Sequence, residues 1–532
     1  MQVTGQTPSS VRTGSLGRDA TRMWLLAIGM FGAVSGYLRE LSLAAAFGAG
    51  SSTDAFFIAV SIPTVASDLL IGSGLLVSVV PVFSRFFTAG GAVNREETSR
   101  LFFQIFFLIS TAGALIAVMC FAAMPWLVGQ LAPGFETSVS ESTVRLGRGL
   151  VWLLPVNGML ILMNQFLNAT GVFLLPASAN IVINLAFAAV VGLGRGAFGF
   201  DVLLLAAYLG PCLMLLLYAM QLRRHVCLPS ASFFRPAADL GAVFRLVRPV
   251  LFTLGIGNGV GLLMLSQVLI RSHVSTLGDG AVSAVGYAYR LYEVPITLIS
   301  ATVGVLIVPA FSALYHADDQ ETLRKHTRTL FGWVIPLLFP IAVVFFLGAD
   351  LIVSLLLEHG RFNAANANAT SLALKAFAPV IVFETVVMIA FRAMYALHRP
   401  GVAVRISLLT LAVLGLFVFL VPVENIAFGV SKFTLSFAIA AGACTFALSA
   451  LTGSSVLPQG PTIAKQLAAA GIPLVPALWL LLTVGADFVW MGLVAVALYL
   501  TGYAALAWRL TPEIGRPALA AVKSAARSVV RL

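Results

Sequence analysis

The run from Gly32 to Ser84 reads GAVSGYLRELSLAAAFGAGSSTDAFFIAVSIPTVASDLLIGSGLLVSVVPVFS, and it decides how the rest of the chain is read. Its first part belongs to an apolar span from Trp24 to Phe47. That is long enough to cross a bilayer, for which about 20 apolar residues suffice. Yet Arg39 and Glu40 fall near the middle of the span. A charge at that depth costs at least about 2.5–3.5 kcal/mol unless it meets a wet cavity or a partner. On a helix the neighbours of Arg39 at three, four and seven residues are Gly32, Ser35, Gly36, Ser42 and Ala46. This small, polar stripe predicts an arginine on the wall of a polar cavity inside the membrane, with Ser35 beside it.

The second span follows the turn Phe47-Gly48-Ala49-Gly50-Ser51-Ser52, with Thr53 and Asp54 placed to cap it. It carries Ser61, Thr64, Asp68 and Gly72 at helical spacing. Two adjoining spans with polar faces predict a pathway between them, with Asp54 and Asp68 as cavity or gating candidates.

Working outward, 59% of the 532 residues are hydrophobic and 10% are charged, with a mean hydropathy of +0.99. This composition excludes a soluble globular protein. The apolar runs are continuous, not alternating, which excludes a β-barrel. The fold class is an all-α polytopic membrane protein of about fourteen spans, at 24–47, 54–83, 101–130, 146–170, 176–194, 201–221, 249–270, 281–312, 329–357, 370–395, 404–421, 434–452, 467–485 and 488–508.

The net charge of +11 would suggest nucleic acid in a soluble protein. Here it reads as the basic bias of cytoplasmic segments, and no nucleic-acid partner is expected. With the amino terminus inside, 22 of the 32 basic residues fall in cytoplasmic segments. Six, Arg145, Arg148, Arg195, Arg271, Arg361 and Lys432, fall outside, and Arg39, Arg290, Lys375 and Arg392 lie within spans. Both termini are therefore expected in the cytoplasm. The first apolar run is too long for a cleaved signal peptide and reads as a retained helix. Cys120, Cys212, Cys227 and Cys444 form neither a disulfide framework nor a metal spacing. No metal or other cofactor is expected.

The expected organisation is a cytoplasmic tail at 1–22, a first lobe of six spans at 23–222, a cytoplasmic linker at 223–248, a second six-span lobe at 249–452, two further spans at 466–508, and a basic cytoplasmic tail at 509–532. The two lobes look like repeats. Gly48-Ala-Gly50, Pro63 and Val80-Pro81-Val82-Phe83-Ser84 recur as Gly278-Asp-Gly280, Pro295 and Val308-Pro309-Ala310-Phe311-Ser312, at an offset near 230 residues. Repeated halves are common in transporters, with the substrate site where the repeats meet. The second half carries its own intramembrane arginine, Arg290, with Gly286, Tyr287 and Glu293 as helical neighbours. Glu293 is either its neutralising partner or a gating residue. Arg39 and Arg290, one per half, suit a shared anion, because a guanidinium binds phosphate through two parallel hydrogen bonds. Asp68 and Glu384 are intramembrane acids, which serve either ion coupling or neutralisation of Arg39 and Arg392. Lys375 and Arg392, near the ends of their spans, are expected to snorkel.

At these residues the chain resembles the MurJ/MviN family of the multidrug/oligosaccharidyl-lipid/polysaccharide exporter superfamily. The motifs are Gly36-Tyr-Leu-Arg39-Glu40, Phe47-Gly-Ala-Gly50, Thr53-Asp54-Ala55-Phe56-Phe57, Ala132-Pro133-Gly134-Phe135, Leu167-Asn168-Ala169, Tyr289-Arg290-Leu291 with Glu293 and Pro295, Gly360-Arg361-Phe362, and Arg392-Ala-Met-Tyr395-Ala396-Leu397. The resemblance implies a fourteen-helix flippase of the bacterial cytoplasmic membrane, working by alternating access on a polyprenyl-pyrophosphate-linked saccharide. It implies cavity arginines at Arg39 and Arg290, an acidic position at the outer end of the second helix at Asp54, and a lipid-tail groove at the last two helices. Where the family commonly has a further arginine, a basic pair and a glutamate, this chain has Ala33, Ser67-Asp68 and Gly72. The implied substrate is thus lipid II or a related precursor, such as an exopolysaccharide repeat unit. Coupling would come from an ion or the membrane potential, and the partners would be membrane lipids and cell-envelope biosynthesis proteins.

Three rival classes are weighed. An enzyme would need acidic or histidine clusters on a sizeable external loop, whereas the six histidines are scattered. A small-molecule or multidrug antiporter of the same superfamily would share the twelve-helix core but lacks a reason for the last two spans. A scaffold would not explain arginines on polar stripes.

Overall fold

The computed structural model describes residues 13–67, 95–227, 260–316, 320–453, 471–484 and 489–510, with isolated positions at 83, 465, 468 and 469. Asp68 and Gly72, most of the linker, and the basic tail lie outside the described residues. Among those described the chain is helical and has no strand. The helices are α1 (Thr13–Phe47), α2 (Ser51–Ser67), α3 (Arg95–Leu131), α4 (Thr137–Leu150), α5 (Leu153–Ala169), α6 (Ala179–Phe198) and α7 (Val202–Leu222). They continue with α8 (Val260–Val274), α9 (Ala281–His316), α10 (Gln320–Leu347), α11 (Ala349–Leu357), α12 (Ala364–Phe377), α13 (Val380–Ala396), α14 (Pro400–Leu420), α15 (Ile426–Thr452), α16 (Leu474–Val484) and α17 (Val489–Leu510). Among the described residues seven helical segments are long and apolar enough to cross a membrane, or eight if a bent pair counts as one.

That bent pair is α12 and α13, which meet at 47° where the sequence predicts one span at 370–395. Pro379 sits at the break; it offers no N–H to the carbonyl four residues back, and its ring crowds that carbonyl. The span at 146–170 likewise divides between α4 and α5, and Pro155 deprives the Val151 carbonyl of its helical partner. Local chemistry sets the other ends. Asn363 and Asn366 form a reciprocal capping box at the start of α12. Asn425 accepts from the Phe428 N–H at 2.8 Å to open α15, and Gly453, at φ +66°, closes it in the left-handed region.

The chain divides into two compact units. The first comprises α1 as far as Leu43, α3 as far as Val118, and α5 to α7. Small residues let its backbones approach: a Cβ on Gly210 of α7 would lie 2.7 Å from the Ile183 Cα of α6. Asn164 Nδ2 joins α5 to α7 by donating to Tyr218 Oη at 3.0 Å, and within α5 Asn168 Nδ2 donates to Asn164 Oδ1 at 2.9 Å.

The second unit holds the end of α1 from Ala44, α2, the end of α3, α4, and α8 to α17. An aromatic seam runs through it, with ring centres of Tyr292 and Phe377 4.7 Å apart, Phe377 and Phe433 5.5 Å, and Phe433 and Phe437 4.6 Å. The last two helices pack on α10 through Val343, Leu347, Ala477, Ala495 and Tyr499. Tyr503 Oη donates to the Pro336 carbonyl at 2.6 Å. Leu416, Phe419 and Phe446 are among the large apolar side chains left exposed, as a lipid-facing surface requires.

Candidate functional site

Arg39 lies in the first unit, half-buried on α1, with its guanidinium 4.7 Å from the centre of the Phe187 ring of α6. A guanidinium over an aromatic face is a cation–π contact. Ser35, one turn before, is buried. Its Oγ donates to the Gly32 carbonyl at 2.8 Å and accepts from Asn184 Nδ2 at 3.3 Å. The small-residue stripe of α1 thus meets α6 at Ser35, Gly36 and Arg39.

Arg290 lies in the second unit on α9, exposed, and pairs with Glu293 at 2.9 Å. Their side chains are 45% and 35% exposed, and a pair that wet is worth about 0–1 kcal/mol. Lys375, expected to snorkel, is paired with Asp350 at 2.7 Å. Ser67, at the end of α2, is buried.

Thr53 and Asp54 are placed by the sequence as caps of α2. Thr53 does bind its own turn, accepting from the Gly50 N–H at 3.0 Å and donating to the carbonyls of Gly48 and Gly50 at 3.1 and 2.9 Å. Asp54 instead caps a helix of the other half. Only 1% exposed, it accepts from the Gly280 N–H through Oδ2 at 2.7 Å and from the Ser283 N–H through Oδ1 at 2.6 Å. Those are orphan donors of the first turn of α9, where a carboxylate also meets the positive end of the helix dipole.

Around that bond the backbones touch. Gly280, at φ +83°, lies so close to the α1–α2 turn that a Cβ would be 2.9 Å from the Ala49 carbonyl oxygen. The Asn366 side-chain amide brackets Ala49, donating to its carbonyl at 2.8 Å and accepting from its N–H at 3.2 Å. Tyr287 Oη donates to the Gly48 carbonyl at 3.1 Å.

The same docking occurs twice with the halves exchanged. The Arg361 N–H donates to the Ala45 carbonyl at 3.0 Å, and a Cβ on Gly360 would lie 2.4 Å from that oxygen. In the first half, the Gly134 N–H donates to Ser275 Oγ at 3.3 Å, and a Cβ on Gly134 would lie 2.4 Å from the Ser275 carbonyl oxygen. Gly134 to Gly360 is 226 positions and Ala45 to Ser275 is 230, the offset at which the turn motifs repeat. Each half therefore lays a glycine turn on the end of the other half's first helix.

Sequence reasoning singled out the glycine turns and Asp54, but it missed Phe187, Asn184 and Asn366. Asn366 bonds a backbone 317 residues away, and no local pattern announces such a pairing. The signal that reached the junction was the internal repeat.

Comparison with known proteins agrees with this architecture. A sequence model described as lipid II flippase MurJ matches residues 43–504. The probable lipid II flippase MurJ of Rhizobium tropici is 27% identical over 343 residues, which are 63% of this chain and 62% of that protein. The lipid II flippase MurJ of Burkholderia cenocepacia is 27% identical over 433 residues, 79% of this chain and 80% of its own. Among solved structures, a lipid II flippase MurJ in an inward closed conformation superposes with a TM-score of 0.76 at 16% identity, covering 92% of this chain and 99% of that one. An inward-facing MATE multidrug transporter of the MOP superfamily gives 0.65 at 13% identity, covering 81% and 99%. Both structural likenesses speak for the fold. With a family match over most of its length, this chain belongs to the MurJ lipid II flippase family.

Proposed function

We propose that this protein carries a polyprenyl-pyrophosphate-linked saccharide, lipid II or a related envelope precursor, from the inner to the outer leaflet of a bacterial cytoplasmic membrane. The observation that carries the mechanism is the junction around Asp54. It is held by hydrogen bonds and close backbone contact beside the buried rings of Phe57, Tyr287 and Phe362. The basic bias of the alternate connecting segments supports both termini in the cytoplasm and the α1–α2 turn outside. On that orientation the junction is the outer gate, drawn closed, and Asp54 is its central acceptor.

Arg39 and Arg290 bind the pyrophosphate, each replacing a weak contact with a charge-assisted one. Glu293 releases Arg290 when the anion arrives, Ser35 fixes the stripe that bears Arg39, and Asp68 adjusts the charge of the cavity. The lipid tail stays in the bilayer beside α16 and α17. Rocking of the two lobes alternates access, driven by an ion or by the membrane potential. The protein acts as a carrier and not as an enzyme, and cell-envelope biosynthesis proteins supply its cargo. A multidrug antiporter is the second reading. The MATE neighbour covers 81% of the chain against 92% for the flippase, which favours the first.

The test is complementation of cells depleted of their own lipid II flippase, with Arg39→Ala at matched membrane abundance. Rescue by the wild type and loss in the variant supports lipid II as cargo despite Ala33 and Gly72. Failure of the well-inserted wild type to rescue rules lipid II out and leaves another lipid-linked saccharide.

A further inference from the structure

Glu384 stands on the second turn of α13, 2% exposed. Its Oε2 accepts a hydrogen bond from Tyr292 Oη of α9 at 3.1 Å. Tyr292 is itself fully buried, stacked on Phe377 with ring centres 4.7 Å apart and set edge-on to Tyr289 at 5.0 Å. A phenol and aromatic faces are poor solvation for a carboxylate. A buried charge is tolerated where an opposite charge and further hydrogen bonds compensate it.

The charged groups around it do not provide that. From α9 comes Glu293, of like sign and already bound to Arg290 at 2.9 Å. From α10, no ionisable residue occurs between Phe331 and Leu347. From α12, Lys375 is taken by Asp350. From α14, Arg405 is exposed. From α15, Cys444 is a free thiol, and Lys432 donates to the Val421 and Pro422 carbonyls and to His273 Nε2. On its own helix Arg392 follows two turns later.

We propose that Glu384 is a proton-binding site, and that Tyr292 passes its protonation state to the Arg290–Glu293 turn of α9. The exchange is a simple one. The carboxylic acid accepts the Tyr292 hydroxyl through its carbonyl oxygen; on releasing its proton to water the carboxylate keeps that donor and gains a negative charge. That charge repels Glu293, one residue beyond Tyr292, and so shifts the balance of the Arg290–Glu293 pair. The coupling ion of the carrier is then a proton. The consequence for transport rests on the function proposed above, whereas the proton site itself does not.

Infrared titration of the full-length protein in nanodiscs tests the site. A pH-dependent carbonyl band of a protonated carboxylic acid is expected, absent from Glu384→Gln and shifted in frequency in Tyr292→Phe. Absence of the band from the wild type, or its persistence in Glu384→Gln, overturns the assignment. If Glu384→Gln does not fold, the Tyr292→Phe shift decides alone, and no shift counts against it. For the coupling, spin labels at Ser52→Cys and Asp279→Cys are compared at acid and alkaline pH. A pH-dependent change in separation that Glu384→Gln abolishes supports the link, and the same pH response in both proteins overturns it, leaving the infrared result for the site unaffected.

Discussion

Replacing Asp54 by Asn separates a gate from a mere cap. The two carboxylate oxygens serve two different N–H donors, Gly280 at 2.7 Å and Ser283 at 2.6 Å. An amide of the same shape offers one acceptor and turns its NH2 toward the other donor. One hydrogen bond is lost outright and the survivor loses its charge assistance. Hydrogen bonds to charged groups contribute about 1.5–3 kcal/mol, and a carboxylate at a helix start adds about 0.3–1 kcal/mol. Since every contact involved belongs to the closed junction, the closed state should lose about 2–4 kcal/mol relative to the open one, a shift of about 30- to 1,000-fold in their ratio. The assay is double electron–electron resonance between labels on Ser52→Cys and Asp279→Cys, both exposed, after removal of the four native cysteines. A longer-distance population should appear or grow in Asp54→Asn. Identical distance distributions in the two proteins, with a lowered melting temperature in the variant, would mean that Asp54 only stabilises α9 and that the junction is no gate.

Gly280→Ala should open the same junction, because a Cβ would lie 2.9 Å from the Ala49 carbonyl oxygen at a backbone φ of +83°; the same labels read it. Asn366→Ala removes two hydrogen bonds to Ala49, about 1–3 kcal/mol together, and should give a smaller shift toward the long distance than Asp54→Asn. Arg39→Lys should fail to restore transport in the depletion assay, since an ammonium cannot both lie flat on Phe187 and grip an anion with a planar fork. Arg290→Ala should abolish transport whereas Glu293→Gln should preserve most of it. Equal loss in both would show that the ion pair, not the free guanidinium, is what the protein needs.

How far the sequence reached follows from the range of each interaction. The all-helical membrane class and the polar stripe of α1 were legible because hydropathy and helical spacing are local. The breaks at Pro155 and Pro379 were not read: both segments stay apolar through the proline, and the bend of 47° between α12 and α13 is set by backbone geometry. Asp54 was recognised as important for its place in the motif, but its helix was misassigned, because a cap is sought a few residues downstream and this one lies 226 residues on. Asn184 and Phe187 contact α1 from about 150 positions away, and nothing in their own neighbourhood marks them.

The internal repeat explains why the junction has the chemistry it has. A docking made twice by related turns, Gly134 on Ser275 and Gly360 on Ala45, needs glycine at both sites, because each places a main chain where a Cβ would lie 2.4 Å from a carbonyl oxygen. In both, the close approach is between main chains, which leaves no room for a side chain at the glycine. Asp54 breaks the equivalence: its carboxylate binds α9, whereas the position 229 residues on is Ser283, which supplies one of the N–H donors. A symmetric closure with one asymmetric charged bond can be tuned at that bond without disturbing the rest. On the proposed gating role, the junction's strength should respond to Asp54 far more steeply than to either flanking glycine turn's side-chain neighbours, and a charge-neutral substitution there should change the closed population while leaving α1, α2 and α9 folded.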